Sequence, residues 1–477
     1  MTSLLHVINL VMLGYFLILD FIYAGLLALS YLECARHNRR IIFGGYDVIF
    51  RSPLTLPVSV LMPAYNEAAT IVETVNALRL LEYGQFEIVV IDDGSSDGTL
   101  TQLERAFSLE RVDRPLRLSI PCQPVTAILR SRDVPNLTVL RKENGGKSDA
   151  LNAGINAARY PLFCAIDADA ILERDALLRV VKPFMERPRE TVASAGIVRV
   201  ANGCRISTGR VVEVGTPANP LALLQVVEYL RAFLGNRMGW SKLRALFIIS
   251  GAFGVFKKAA VIDVGGYRTD TVGEDMDLVM RLHRLMRQRR EAYRIVFIPD
   301  PVVWTEVPES FKTLHRQRNR WHRGLLECLT RNPGMTANPR FGSVGLLAMP
   351  YNLVFEAAGP FVETTGYVAL VVTAALGLLS PRYFLLFFLL AVAYGVFLSV
   401  SCVLLEEVHL NRYRRPIDVF RLLLFAVLEN FGYRQLQTIW RVEATIDFLR
   451  KKSSWGDMPR KGFETSSPQR CGPALDA

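Results

Sequence analysis

Residues 162–170 read Leu162-Phe163-Cys164-Ala165-Ile166-Asp167-Ala168-Asp169-Ala170. An apolar run stops at two carboxylates with one small residue between them. If the run is a strand, Asp167 and Asp169 share one face at its carboxyl end, because side chains alternate with period two. Such a pair suits an oxygen-preferring cation, Mg2+ or Mn2+, which takes one or two protein carboxylates and completes its shell with water and substrate phosphate. A solvated turn after a buried strand has the same composition, so the rest of the chain must separate the two.

Outward from this stretch, strand and helix patterns alternate from Pro57 to about Arg331. Strand patterns fall at 58–62, 87–92, 137–140, 162–166, 193–200, 252–256 and 294–298. Helix patterns fall at 98–107, 148–158, 175–186, 221–234 and 275–287, and Thr70 with Glu73 reads as a capping box opening one more. This rhythm predicts an α/β domain over 52–331 with a mainly parallel sheet. Residues 109–136, rich in Pro and Arg, read as an insertion loop.

The flanks are apolar. Residues 4–32 outlast the roughly 30 Å of a bilayer core and are interrupted by Asp20, which should face protein or water. With no basic leader and no small-residue cleavage site, 1–35 reads as a membrane span and not a signal peptide. Arg36, His37, Arg39 and Arg40 follow it. By the positive-inside rule the amino terminus is outside and the α/β domain cytoplasmic, at the inner (plasma) membrane of a multi-pass protein. In the region 343–450, residues 344–379 read as an interfacial half and a span, 383–405 as a further span, and 420–439 as an interfacial amphipathic helix. Three spans return the tail, 451–477, to the cytoplasm.

Hydrophobic residues make up 51% of the 477, and the formal charge is +11. Because basic residues flank apolar segments, an anionic membrane surface and phosphorylated substrates explain that charge better than nucleic acid does. The seven cysteines form no CxxC pair, which argues against a zinc site or disulfide framework.

Two further stretches carry polar groups to the carboxyl ends of strands, where ligands bind in open α/β sheets, and three more carry them on helices. Residues 87–99, EIVVIDDGSSDGT, end a strand at Asp92 and Asp93; a purely structural turn has the same residues. Residues 62–67, MPAYNE, place Ala64, Tyr65 and Glu67 at a neighbouring strand end. Residues 144–148, NGGKS, open a helix whose glycines and Lys147 suit a phosphate. A Walker loop needs glycine where Arg141 stands, and no GxGxxG follows a strand, so ATP hydrolysis and nicotinamide chemistry are disfavoured. Residues 271–278, TVGEDMDL, set Glu274 and Asp275 at a helix start, as a general base or as acidic residues complementing the helix dipole. In Gln317-Arg318-Asn319-Arg320-Trp321, helical spacing puts Gln317, Arg320 and Trp321 on one face, with Arg318 and Asn319 elsewhere. That face suits a pyrophosphate beside a sugar ring, and equally a membrane interface.

With DDGSSDGT, NGGKSDALN, DAD, GED and QRNRW in this order, the chain resembles the inverting family-two glycosyltransferases. The likeness is to their processive branch, which includes hyaluronan, chitin, cellulose and poly-N-acetylglucosamine synthases. The resemblance covers Pro57 to about Gly324 and implies a GT-A nucleotide-diphosphosugar domain with transmembrane and interfacial helices. It implies a UDP-sugar donor, UDP-N-acetylglucosamine first and UDP-glucose second, with Ala64, Tyr65, Glu67 and Asp92 at the uridine. Lys147 and Arg320 would lie at the diphosphate, Asp167 and Asp169 at Mg2+ or Mn2+, and Asp275 with Glu274 at the acceptor hydroxyl. Gln317 and Trp321 would lie at the acceptor sugar. Trp455-Gly-Asp-Met-Pro-Arg460-Lys461-Gly462 resembles a carboxyl-terminal element of hyaluronan synthases; its indole and two cations, Trp455, Arg460 and Lys461, suit a gating loop that closes over a bound diphosphate and equally a basic tail resting on anionic lipid. The implied partners are the UDP-sugar, a growing glycan, membrane lipid, and a second copy or export partner that carries product outward. The alternatives are single-sugar transfer to a lipid carrier and a nucleotide-sugar-binding pseudoenzyme.

Overall fold

The computed structural model describes residues 2–43, 55–207 and 209–451. Twelve strands form: β1 (Val58–Ala64), β2 (Phe86–Asp92), β3 (Leu109–Arg111), β4 (Val125–Ser131), β5 (Leu137–Lys142), β6 (Leu162–Ile166), β7 (Ile171–Leu172), β8 (Thr191–Val200), β9 (Arg205–Ser207), β10 (Arg210–Glu213), β11 (Phe253–Lys257) and β12 (Arg294–Thr305). Ten make one sheet in the order β3-β4-β5-β2-β1-β6-β11-β8-β12-β7, and β9 pairs with β10. Every residue of β6 and of β8 is buried, as expected of strands covered on both faces.

The register puts the site together. β1 runs parallel to β2 with Ala64 opposite Asp92, and parallel to β6 with Leu61 opposite Ala165. β2 runs parallel to β5 with Asp92 opposite Arg141. The carboxyl ends of these four strands therefore share one edge. β11 enters antiparallel, with Phe253 opposite Ile166, so the loop before β11 reaches the same edge from the other direction.

Several sequence expectations are corrected. The sheet is mixed, not mainly parallel: β11 is antiparallel to β6 and β8, and β7 to β12. An apolar run buried on both faces has the same pattern in either direction. The insertion at 109–136 is not a loop throughout. It holds β3 and β4, an antiparallel pair added to β5. Thr70 caps nothing with its side chain; it lies in the helical region and its hydroxyl donates to Glu67 Oε2 at 3.1 Å. The helix expected at 221–234 is Pro220–Leu230, capped by Asn219, continuing as a π-helical stretch Arg231–Arg237 and a last turn Met238–Lys242.

Among the described residues, two helical stretches, Val7–Arg39 and Pro381–His409, are long and apolar enough to cross a membrane, which supports a membrane location. The other expected span falls on Gly359–Ala375, of 17 residues, roughly 26 Å of helix. The interfacial helix expected at 420–439 is two helices, Pro416–Leu428 and Tyr433–Leu449, separated at Gly432, whose φ is 94°. Asp20 is buried by protein, as its cost in lipid demands. The first helix is tied to the sheet through His37 and Asp300 at 2.8 Å, and the stretch Pro381–His409 through an ion pair between Arg199 and Glu406. Trp455, Arg460 and Lys461 lie outside the described residues.

Candidate active site

At the shared strand edge lies a cavity of roughly 1190 Å³. Lys147, Asp167, Asp169, Glu274, Asp275, Gln317, Arg320 and Trp321 all line it. These eight come from four sequence motifs separated by up to 174 positions between Lys147 and Trp321. A turn and a helix start that each had a bland reading in isolation therefore open on one space.

The acidic helix Glu274–Arg289 begins at Gly273. A Cβ on Gly273 would lie 2.8 Å from the Gly324 Cα, so this helix start meets the helix Phe311–Arg331 backbone to backbone. Glu327, on that second helix, accepts from the Thr271 hydroxyl at 2.6 Å and the Val272 N–H at 3.0 Å. The GED turn and the QRNRW helix are thus fixed to one another. Asp275 is held from both sides: its Oδ2 accepts from the Gly251 N–H at 3.0 Å and its Oδ1 from the Met276 N–H at 2.8 Å. Glu274 beside it is buried. That burial first, and the charge of Asp275 second, push its carboxyl up to about 7, against the pull of Lys147.

Lys147 ion-pairs with Asp167 and donates to the Gly251 carbonyl at 3.3 Å. Its burial lowers the ammonium pKa, but Asp167, Glu274 and Asp275 outweigh this and raise it. Lys147 is therefore a cation surrounded by carboxylates at the cavity wall. The glycines beside it have another use than the sequence predicts. The N–H groups of Gly145 and Gly146 donate to the Asp93 carboxylate at 3.1 and 2.8 Å. The anion at this helix start is a protein carboxylate, and Lys142, fully buried, pairs with both Asp93 and Asp149 at 2.5 and 2.6 Å. Nothing in the spacing of DDGSSDGT and NGGKS distinguishes an internal carboxylate from a ligand's phosphate.

Asp167 and Asp169 provide only hard oxygen donors. Among the described residues no cluster of three or more His, Cys, Asp or Glu forms a complete metal cage. Two carboxylates at the edge of an open cavity fit a cation that takes its remaining ligands from water and substrate.

Ala64, Tyr65, Glu67 and Asp92 do not line this cavity; they sit along the same sheet edge. The loops after β1 and β2 clasp each other there: Asn66 N–H donates to Ser95 Oγ at 3.0 Å, Glu67 N–H to Thr99 Oγ1 at 2.9 Å, and Ala68 N–H to Asp97 Oδ2 at 3.0 Å. Asp92 is fully buried; Oδ1 accepts from the Ser95 N–H at 3.1 Å and Oδ2 has no hydrogen-bond partner among the described residues. The Tyr65 side chain is 53% exposed, open to a ligand's flat face.

The helical-face expectation for QRNRW is met, with one addition. Asn319 turns away to Asp447, at 3.0 Å. Arg318 is buried against Glu228 at 2.8 Å, yet it also donates to Gln317 Oε1 at 2.8 Å and stacks 4.2 Å from the Trp321 ring centroid. Glu228 in turn accepts from Tyr433 at 2.8 Å and Gln437 at 3.2 Å. Arg318 therefore supports two of the three residues that face the cavity. The sequence reading missed Arg318, Glu228, Tyr229 and Arg237. The three from the Pro220–Arg237 stretch lie in a segment whose pattern is that of a buried helix, with no motif to mark them.

Residues 162–400 match the family described as glycosyl transferase family group 2, and residues 59–120 match glycosyl transferase family 2. The chain belongs to the family-two glycosyltransferases. It is 31% identical over 275 residues to the poly-beta-1,6-N-acetyl-D-glucosamine synthase of Staphylococcus aureus (strain COL), covering 58% of this chain and 56% of that one. It is 30% identical over 278 residues to the enzyme of the same name from Staphylococcus epidermidis, with the same coverage. The chain spans little more than half the length of the curated relatives it matches. A mannosyltransferase from Pyrobaculum calidifontis, solved with GDP-Man and Mn2+, superposes with a TM-score of 0.53 at 21% identity, covering 91% of this chain and 100% of that one. The mixed sheet is thus a GT-A-like fold.

Proposed function

We propose that this chain is a membrane-embedded, inverting, UDP-sugar-dependent β-glycosyltransferase that polymerises sugar into an exopolysaccharide. The observation that carries this reading is the convergence of DAD, GED, QRNRW and Lys147 on one cavity. The donor is UDP-N-acetylglucosamine, supported by the named activity of the staphylococcal relatives.

Tyr65, Glu67 and the buried Asp92, beside Ala64, receive the uridine at the edge of the sheet. Lys147 and Arg320 hold the diphosphate between them. Asp169, assisted by Asp167, would hold Mg2+ or Mn2+, which neutralises charge on a leaving diphosphate. Asp275 accepts the proton of the acceptor hydroxyl as its oxygen bonds to the anomeric carbon. The bond from that carbon to the diphosphate oxygen breaks, and UDP leaves with the electron pair. Attack from the face opposite the leaving group inverts the centre. The two backbone N–H groups on Asp275 orient its carboxylate for this task, and Glu274 shares the buried site. Trp321 and Gln317 seat the acceptor sugar. The α/β domain faces the cytoplasm of the inner (plasma) membrane with the amino terminus outside.

The test is a panel of UDP-sugars offered to detergent-purified protein with and without Mg2+ or Mn2+, read as UDP released. Metal-dependent release from UDP-N-acetylglucosamine supports the reading. Release from no UDP-sugar, by protein that still binds UDP, overturns it in favour of a binding subunit.

A further inference from the structure

Three arginines near this site or the membrane helices have carboxylate partners: Arg199 pairs with Glu406, Arg231 with Glu429 and Arg318 with Glu228. Arg237 is different. It lines the cavity, its Nη1 is buried, and that atom has no hydrogen-bond partner among the described residues. No carboxylate lies within ion-pair distance of it among those residues. Burial draws its pKa down to about 10, against the pull of Asp275. Taking such a group out of water without a partner is costly, and buried polar groups are as a rule satisfied. The missing acceptor is expected to arrive with the ligand.

The surroundings narrow what that acceptor is. Arg237 closes a π-helical stretch, Arg231–Arg237, a form that recurs at functional sites. Tyr229, Phe233 and Arg237, four residues apart in turn, form a ladder along the cavity wall. The Tyr229 and Phe233 ring centroids are 5.6 Å apart, and the guanidinium lies 4.1 Å from the Phe233 centroid. Stacking fixes the plane of the fork and leaves its edge as the donor. An apolar ring beside one fixed donor edge complements a group with a methyl and a carbonyl oxygen side by side. The diphosphate already has Lys147 and Arg320, and sugar hydroxyls need no buried cation.

We infer that Arg237 is a specificity-determining residue that donates to the acyl carbonyl of an N-acylated donor sugar, with Phe233 packing against the acyl methyl. The inference rests on the UDP-sugar reading of this cavity and names what that reading leaves open, the substituent at which donors are discriminated. A site built to hydrogen-bond a substrate group rejects donors that lack it, because its own buried group is then left unpaired. A free amine in place of the acyl group puts an ammonium against the guanidinium and fares worst.

The experiment measures kcat/KM for UDP release with UDP-N-acetylglucosamine, UDP-glucose and UDP-glucosamine, using full-length protein in detergent. For wild type the order expected is N-acetylglucosamine, then glucose, then glucosamine. In Arg237→Leu the preference for N-acetylglucosamine over glucose should fall by about tenfold to a hundredfold, the range for a hydrogen bond to a charged group. Arg237→Lys should lie between, since it keeps the charge and loses the fork. UDP affinity by calorimetry shows that each variant is folded. A preference unchanged in both variants, or an equal loss with both donors, overturns the inference while leaving the glycosyltransferase reading intact. Wild type that uses UDP-glucosamine as well as UDP-N-acetylglucosamine overturns it without any variant. Wild type that releases UDP from none of the three overturns the reading beneath it as well.

Discussion

Replacing Asp275 by Asn isolates the proposed base. Both carboxylate oxygens are committed to backbone donors, Gly251 N–H at 3.0 Å and Met276 N–H at 2.8 Å. An asparagine has one acceptor oxygen, so one of these N–H groups must face an NH2. That mismatch is worth about 1–3 kcal/mol locally, enough to be seen as a lower melting point. The catalytic loss is separate and larger: removing a general base costs about 10²–10⁴ in rate, or ~2.7–5.5 kcal/mol of barrier. The two effects part in the assay. UDP release at saturating donor should fall by at least a hundredfold, while UDP affinity, which Asp275 does not serve, should change by less than threefold. A variant that turns over within threefold of wild type, in a preparation free of wild-type enzyme, would refute the assignment of Asp275.

Asp169→Ala should abolish the dependence of UDP affinity on Mg2+ or Mn2+ seen by calorimetry; UDP affinity that ignores metal in both proteins would mean the DAD stretch is not a metal site. Trp321→Ala should reduce polymer formation more than hydrolysis of donor to free UDP if the ring, which lines the cavity, seats the acceptor as proposed; an equal fall in both would make Trp321 a packing residue. The raised pKa of Glu274, about 7 against an ordinary 4.5, means the folded protein holds an extra proton between those values. Stability contributed at this site is therefore present at low pH and lost as pH rises toward 7, by at most ~3 kcal/mol at 1.36 kcal/mol per unit. Glu274→Gln should flatten that slope in thermal midpoints taken at pH 5 and 8; parallel slopes in the two proteins would place the proton elsewhere.

Much of the site was legible before the fold was known because its chemistry sits at strand ends. The turn directly after β6 keeps Asp167 and Asp169 at the strand's carboxyl end, though by turn geometry and not by strand alternation, and helical spacing places Gln317 with Arg320 and Trp321, without reference to anything distant. What the sequence could not show is what crosses between elements. Arg318 reads as a residue pointing away from the face of interest, and so it does. Only the folded contacts show that Arg318, anchored by Glu228, braces both Gln317 and Trp321. The glycines of NGGKS read as a phosphate cradle because a helix start welcomes any anion, and Asp93 occupies that role from 52 positions away in the case of Gly145. Strand direction was likewise hidden: β11 and β6 are both continuous apolar runs, and only the register sets them antiparallel. Arg237 left no trace at all, since Arg231 and Arg237 stand in one apolar helix with no motif around either to mark it.

The central claim, that this cavity joins sugars from a UDP donor into a chain, is tested most directly by the length of the product. Purified protein is incubated with radiolabelled UDP-N-acetylglucosamine, unlabelled primer and Mg2+ or Mn2+, and the labelled glycan is sized by gel filtration before and after digestion with a β-hexosaminidase. The account predicts label in material many sugars long that the enzyme degrades to monosaccharide. Label confined to a single added sugar, or to free N-acetylglucosamine alone, would contradict it.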